Sequence, residues 1–324
     1  MADHAVDEYG DDVFIYRGGR RTPQHITHAR IDESVDEIEG GAFICCRNLL
    51  TVDTHDGIRR VGKDAFSWCE SLRRINLKSA VEIDHNAFYK CENLESVEFG
   101  VRLETIGGSA FSGCTSITHL KLPSVITIEM YAFENCKRLT DIELSERLET
   151  IERRAFAGCE SLQRIAIPLK RNLFEFNHYL HRYNQFDACE QLTSVHLVGG
   201  AHETVASLHM ERWRTEMIAE INRINQVLPY TSVREKTDAI HQWMNSVMDK
   251  LVHYKLEHYR YVKEGITLLE LALWKAKLDE KDDDSEEGRT EKAKVDAGSY
   301  RRNKRITCGA DIVIKNVLPF LKLN

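Results

Sequence analysis

No run in this 324-residue chain approaches the roughly 18 consecutive apolar residues that a membrane-spanning helix needs, so no span is expected. The first residues, Met1 to Glu8, are acidic. They lack the basic stretch followed by an apolar one that marks a secretory leader. A Gly-rich phosphate loop, a nucleophile elbow, His-Glu-x-x-His and a paired zinc half-site are all missing, and the acids are scattered at repeat spacing on turns and strands. No catalytic set and no cofactor is therefore expected. Basic excess is missing too: a net charge of −7 makes no general case for nucleic acid or an anionic membrane as partner.

Nine cysteines are present, and none stands in a Cys-x-x-Cys pair or beside a His partner, so zinc is not expected. Seven of them share one repeat column, which leaves Cys45 and Cys308 outside it. Such a column reads as small buried hydrophobes in a reducing compartment, cytoplasmic with nuclear as the alternative.

What the chain does have is rhythm. Ala-Phe recurs at Phe43, Phe66, Phe88, Phe111, Phe133 and Phe156, at intervals of 23, 22, 23, 22 and 23 residues. Each Phe is followed by Cys at +3 (Cys46, Cys69, Cys91, Cys114, Cys136, Cys159) and by Leu or Ile at +6. Self-similarity at this period is the mark of a solenoid, whose coils each touch only their neighbours. The pairs at +9 and +11, such as Ile75/Leu77 and Leu120/Leu122, alternate as a strand does. The three-residue spacing of Ala-Phe-x-x-Cys-x-x-Leu suits a helical or 3₁₀ turn. Each coil is therefore read as one strand, a turn and one short helical segment, with the strands stacked in a parallel sheet. A longer rhythm overlies this one. Arg102-Leu-Glu-Thr-Ile106 returns 45 residues later as Arg147-Leu-Glu-Thr-Ile151, which makes the duplicated unit a pair of coils.

The pattern Leu-x-x-Ile-x-Leu followed by Ala-Phe-x-x-Cys-x-x-Leu resembles the BspA-like (Treponema-pallidum-type) leucine-rich repeat family over residues 26–198. The family's Ile-Gly step is kept at Val61-Gly62 and Ile106-Gly107, but Asp84, Glu129 and Glu152 replace its glycine elsewhere. The resemblance implies a ligand- or protein-binding solenoid with no common catalytic residue. The fold class expected is α/β: a leucine-rich-repeat solenoid with a parallel sheet on one face and short helical turns on the other, followed by an all-α helical hairpin.

The expected divisions are an acidic segment and capping strands at 1–31, the solenoid at 32–200, a helical hairpin at 201–278, a charged linker at 279–305 and a closing helix at 306–324. In the first, Val13–Tyr16 and the return at His25–Ile31 suggest a hairpin-like cap. After Phe156 the next matching Phe is Phe186, 30 residues on. The extra length carries Lys170, Arg171, Phe174, Phe176, His178, Tyr179, His181, Arg182 and Tyr183. It reads either as a protruding aromatic-basic binding loop, with Phe174, His178, Tyr179 and Arg182 as contacts, or as an irregular last coil folded over the end of the core. The second reading is the plainer one. His178 and His181 have metal-pair spacing but no third ligand nearby.

Beyond Gly199-Gly200, Met210 to Leu228 follow helical spacing up to Pro229. Ser232 and Glu235 form a candidate capping box. Ile240, Met244, Val247, Leu251, Tyr254, His258, Tyr261, Gly265, Leu268 and Ala272 then alternate four and three, the period of a coiled-coil seam. Trp213 and Trp243 are read as docking this pair of helices on the solenoid end, with an open face for a partner as the alternative. The linker carries net −6 from Asp279 to Glu287 and net +5 from Arg289 to Arg305, blocks that suit mutual neutralisation better than nucleic acid.

The concave strand face remains as the place for recognition. Arg74, Asn76, Glu98, His119, Lys121, Asp141, Glu143 and Arg164 flank the inward pairs and point outward. Their mixed signs suit a protein or peptide better than a phosphate backbone. The expected function is a non-catalytic interaction or scaffold protein. The alternatives are a structural protein that dimerises through the helical seam and, more weakly, a nucleic-acid-associated protein using Arg289–Arg305.

Overall fold

The computed structural model of the chain describes residues 4–6, 12–19, 21–174, 184–208 and 210–286. Its coils carry two strands each, where one was expected. On the first face lie β1 (His4–Val6), β2 (Asp12–Tyr16), β3 (His28–Ile31), β5 (Thr51–Asp53), β7 (Arg74–Leu77), β9 (Ser96–Phe99), β11 (His119–Lys121), β13 (Asp141–Glu143), β15 (Arg164–Pro168) and β16 (Ser194–Val198). On the second lie the two-residue strands β4 (Glu37–Ile38), β6 (Arg60–Val61), β8 (Glu82–Ile83), β10 (Thr105–Ile106), β12 (Thr127–Ile128) and β14 (Thr150–Ile151). These supply the aliphatic five residues before each Phe. Too short to show alternation, they are invisible to a periodicity reading. β2 pairs parallel with β3, so the expected N-terminal hairpin is instead the first rung of the parallel stack, and β1 pairs antiparallel with β2 outside it.

Between the two faces, Ala-Phe-x-x-Cys-x-x-Leu forms successive i→i−3 turns, for example Ala65 N–H to Gly62 O, Ser67 to Asp64, Cys69 to Phe66 and Leu72 to Cys69. It never becomes a helix, because residues two before and two after each Phe are left-handed, such as Asp64 (φ 57°) and Trp68 (φ 63°) around Phe66. The left-handed residues turn alternate N–H groups outward to the next coil: Phe66 N–H reaches Ala87 O at 2.7 Å and Phe88 N–H reaches Ala110 O at 2.7 Å. Backbone bonds thus join neighbouring coils at the turns as well as along both strand faces.

The core is a stack of phenyl rings from Phe43 to Phe186, with centroids 4.9–5.7 Å apart and planes within 8° of parallel. Tyr16 begins it, tilted 50° against Phe43. The cysteines do more than fill space. Cys69, Cys91 and Cys114 each donate from Sγ to the carbonyl of the Phe one coil back, at 3.1 Å. The acids standing at the glycine step join coils too. Glu129 accepts the N–H of Gly108 and Glu152 that of Met130, both at 2.9 Å, while Asp84 pairs with Arg60.

Among the described residues three α-helices follow: α1 (Ala201–Ala206), α2 (Glu211–Val227) and α3 (Lys236–Glu286). Helix α3 runs past the expected start of the linker. The remaining linker and the closing segment 306–324 lie outside the described residues. The chain divides into two compact units. One holds the coils through Ser207 with Arg214–Asp249, the other Leu208–Trp213 with the chain from Lys250 on.

In the first unit, the start of α3 finishes the solenoid by standing in for a further coil. Lys236 Nζ donates to Glu190 O and Leu192 O at 2.9 and 2.7 Å. Thr237 Oγ1 accepts Phe186 N–H, and Asn225 Oδ1 on α2 accepts Val195 N–H. Trp243, expected to dock the helices on the solenoid end, is buried and donates from Nε1 to Glu220 O, which ties α3 to α2. In the second unit Trp213 stacks on Tyr254 with centroids 5.3 Å apart. The seam is buried at Ile240, Met244, Val247 and Tyr254, whereas Tyr261 and Leu268 are exposed. Ser232 bonds the Glu235 carboxylate and not its N–H, so the capping box forms only in part.

Candidate functional site

The alternation expected on the first face holds along β7, where Arg74 and Asn76 are exposed and Ile75 and Leu77 buried. His119, Lys121, Glu143 and Arg164 are likewise exposed, and Asp141 is half-buried. Opposite charges on neighbouring coils then pair, in register except for Lys78, which lies just past β7 and reaches Glu98 diagonally. Lys78 meets Glu98 at 2.7 Å, Lys121 meets Glu143 at 3.3 Å, and Arg164 and, at 3.8 Å, His119 both reach Asp141. The Glu98 carboxylate holds the Lys78 ammonium above its usual range.

This face is interrupted once. β1, β2, β3, β5, β7 and β9 form one sheet, and β11, β13, β15 and β16 another, so no ladder joins β9 to β11. The break shows in a single backbone column. The N–H seven residues after each Phe donates to the equivalent carbonyl one coil back: Leu50 to Thr27, Arg73 to Leu50, Glu95 to Arg73, Thr140 to Thr118, Gln163 to Thr140 and Thr193 to Gln163. The bond from Thr118 to Glu95 is missing from this series among the described residues. The second sheet runs unbroken past the same point, with β8, β10 and β12 paired. The turn bonds from Phe88 to Ala110 and Phe111 to Ala132 are intact as well. The coils therefore part on one face while staying hinged on the other two.

Two local features account for the opening. Gly100, at the exit of β9, lies so close to the end of β7 that a Cβ there would sit 1.7 Å from Lys78 O, an approach toward β7 that only glycine permits. Phe99 stands where neighbouring coils have Leu77, Leu122 and Leu144, and its bulkier ring packs edge-on against Phe111 at 5.8 Å. As a result Val97 and Phe99 are half-exposed where their counterparts are buried, and Val101 is 76% exposed. The opening is a cleft of about 910 Å³. Its floor is Val97, Phe99, Leu120 and Pro123, and six of the eight expected partner-binding residues (Glu98, His119, Lys121, Asp141, Glu143 and Arg164) line it. Arg74 and Asn76 lie outside it. Lys78 and the apolar floor were absent from the sequence expectation because Val97 and Phe99 were assigned to the core. The Phe99-Gly100 pair, unlike its counterparts in neighbouring coils, was the available signal.

The expected loop site fares differently. Phe174 is buried, bridges Ile151 and packs edge-on against Phe186 and His241, so it closes the core end and contacts no solvent-borne partner. Phe176, His178, Tyr179, His181, Arg182 and Tyr183 lie outside the described residues. Among the described residues no group of three His, Cys, Asp or Glu could hold a metal ion. No helix there is long and apolar enough to cross a membrane.

Stacked coils with a parallel strand face, a phenyl spine and a Cys column define a leucine-rich-repeat solenoid. Residues 22–127 and 106–207 match the model of the BspA type leucine rich repeat region, in six copies, and the chain belongs to that family. Repeat proteins of this kind are generally protein-interaction modules. Among solved structures, the Treponema pallidum leucine-rich repeat protein is 22% identical with a TM-score of 0.44, covering 64% of this chain and 93% of its own. A leucine-rich repeat protein from Bacteroides ovatus is 22% identical with a TM-score of 0.36, covering 61% and 68%. A comparison with curated proteins found no match.

Proposed function

We propose that this protein is a non-catalytic interaction module that binds a protein or peptide partner at the cleft between β9 and β11. The observation that carries this reading is the coincidence of uncovered apolar side chains with the interruption of the strand ladder, at the centre of the expected charged face. An apolar centre ringed by charge is the usual anatomy of a protein-binding patch. The rim carries both signs in pairs, which suits a polypeptide better than a polyanion. The free thiols of the described cysteines support a reducing compartment as the setting.

Proximity labelling in the native cell with the wild-type, Val101→Glu and Arg74→Glu chains tests this. Proteins labelled by the wild type and by Arg74→Glu but lost from Val101→Glu are the expected partners. Identical sets from all three count against the cleft.

A second reading, self-association through the helical module, has its own support. Leu256, Leu268, Leu271 and Trp274 are all exposed on α3 beyond the buried part of the seam. Light scattering at tens of micromolar separates the two readings: a dimer that Leu268→Glu/Leu271→Glu returns to monomer supports the second, and a wild-type monomer removes it.

A further inference from the structure

Resting on the reading of the cleft as a binding site, we infer that its ligand is an extended peptide segment that adds to the interrupted sheet as a strand. Three observations lead to this mode. The ladder is open at one rung, so the Glu95 carbonyl and the Thr118 N–H lack the bond that every equivalent pair makes. Backbone groups at a sheet edge are a template for another strand. The floor is apolar and the outer rim polar, which selects a chain whose side chains alternate inward and outward with a period of two. The charged side chains on either side of the gap have turned away from it. Glu98 pairs backward with Lys78 and Lys121 forward with Glu143, although the two would face each other in an intact sheet.

A strand placed here donates an N–H to Glu95 O, and its next residue accepts from Thr118 N–H. Its inward side chains cover Val97 and Phe99, and its outward ones pass between Glu98 and Lys121. The fitting segment is therefore apolar-polar-apolar and close to neutral, because the rim charges are already matched within the protein. Two strand spacings need about 9.6 Å between β9 and β11. The coils reach this by rotating about the intact second sheet and turn bonds, not by unfolding.

The test pans a phage-displayed library of random seven-residue peptides against the full chain. Enriched peptides are then synthesised, with and without methyl groups on alternate backbone nitrogens. The expected result is an alternating apolar pattern, affinity lowered at least tenfold by Val101→Glu, and a comparable loss on N-methylation in one register but not the other. Val101 is an exposed side chain, so its substitution leaves the fold intact, and circular dichroism checks that it does. Peptides that need the cleft but tolerate N-methylation in both registers overturn strand addition and leave the binding site standing. If no enriched peptide depends on Val101, strand addition fails and so does the cleft as a peptide site. Amide exchange supplies a separate check. The Thr118 N–H should exchange at least tenfold faster than those of Thr140 and Gln163 in the free chain and slow on peptide binding, and an already protected Thr118 overturns the proposal.

Discussion

At the residue scale, each coil asks for two left-handed residues, and only some positions use glycine for them. Ala188, with φ 57°, stands in the column where Gly113 and Gly158 serve neighbouring coils. Ala188→Gly removes a left-handed penalty of roughly 1–2 kcal/mol and gives back part of it as chain entropy. The expected outcome is a gain of about 0.5–1 kcal/mol in urea unfolding; a loss would show that this column carries no strain. Gly100 is the opposite case. Gly100→Ala would place a methyl against the Lys78 carbonyl, so one of the two backbones must move. The expected cost is about 2 kcal/mol, with faster amide exchange along β7 and β9. An unchanged urea midpoint would mean that the close approach does not shape the break. Ala188 does not stand out in the sequence, since the left-handed column is occupied by Cys, Trp, Lys, Asn, Ala and Gly alike, whereas Gly100 shows only as half of the Phe99-Gly100 pair.

At the scale of elements, the beginning of α3 is the joint that closes the solenoid. A cation in the first turn of a helix opposes the helix dipole, so Lys236 must be held there by something outside the helix. Its ammonium is buried against two carbonyls of the last coil, and burial pushes its pKa below the ordinary lysine value. Lys236→Met keeps the stem and leaves both carbonyls without their donor, an expected loss of about 1–3 kcal/mol. Exchange protection should fall first in the segment 184–198. Uniform loss across all coils would instead indicate that the end joint unfolds with the whole stack. The helical periods of α2 and α3 were legible because a 3.5-residue pattern sustained over many turns fits a helix and neither a strand nor a loop. The short second-face strands and the end joint were not, because two residues show no alternation and a lysine has no periodic signature.

At the scale of the whole molecule, the Cys column couples stability to pH. Burial pushes the thiols of Cys69, Cys91, Cys114 and Cys159 well above the usual range, and that of Cys136 to about 12. A thiol whose pKa rises on folding keeps its proton in the native state at pH values where the unfolded chain has released it. Its contribution is therefore complete below the unfolded thiol value of about 8.5 and falls as pH rises beyond it, by roughly 1.4 kcal/mol per thiol and pH unit. The urea midpoint should hold between pH 7 and 8 and drop by pH 10.5; a flat profile would contradict the burial of the column. In the native chain at pH 8, a thiol reagent should spare these five cysteines while reaching the half-exposed Cys45.

The sequence by itself determined the solenoid, its register and its family. A pattern repeated six times at a fixed interval can bury its aromatic residue only by stacking like upon like. It also marked the charged strand face, because strand alternation assigns each side chain to the inside or the outside. The tertiary structure alone decided where that face opens. Whether one rung of a ladder closes depends on a glycine reaching the carbonyl of the coil before it and on a Phe ring meeting another coil's Phe. The residues concerned lie 22 positions apart in the first case and 12 in the second, and no local spacing records either contact.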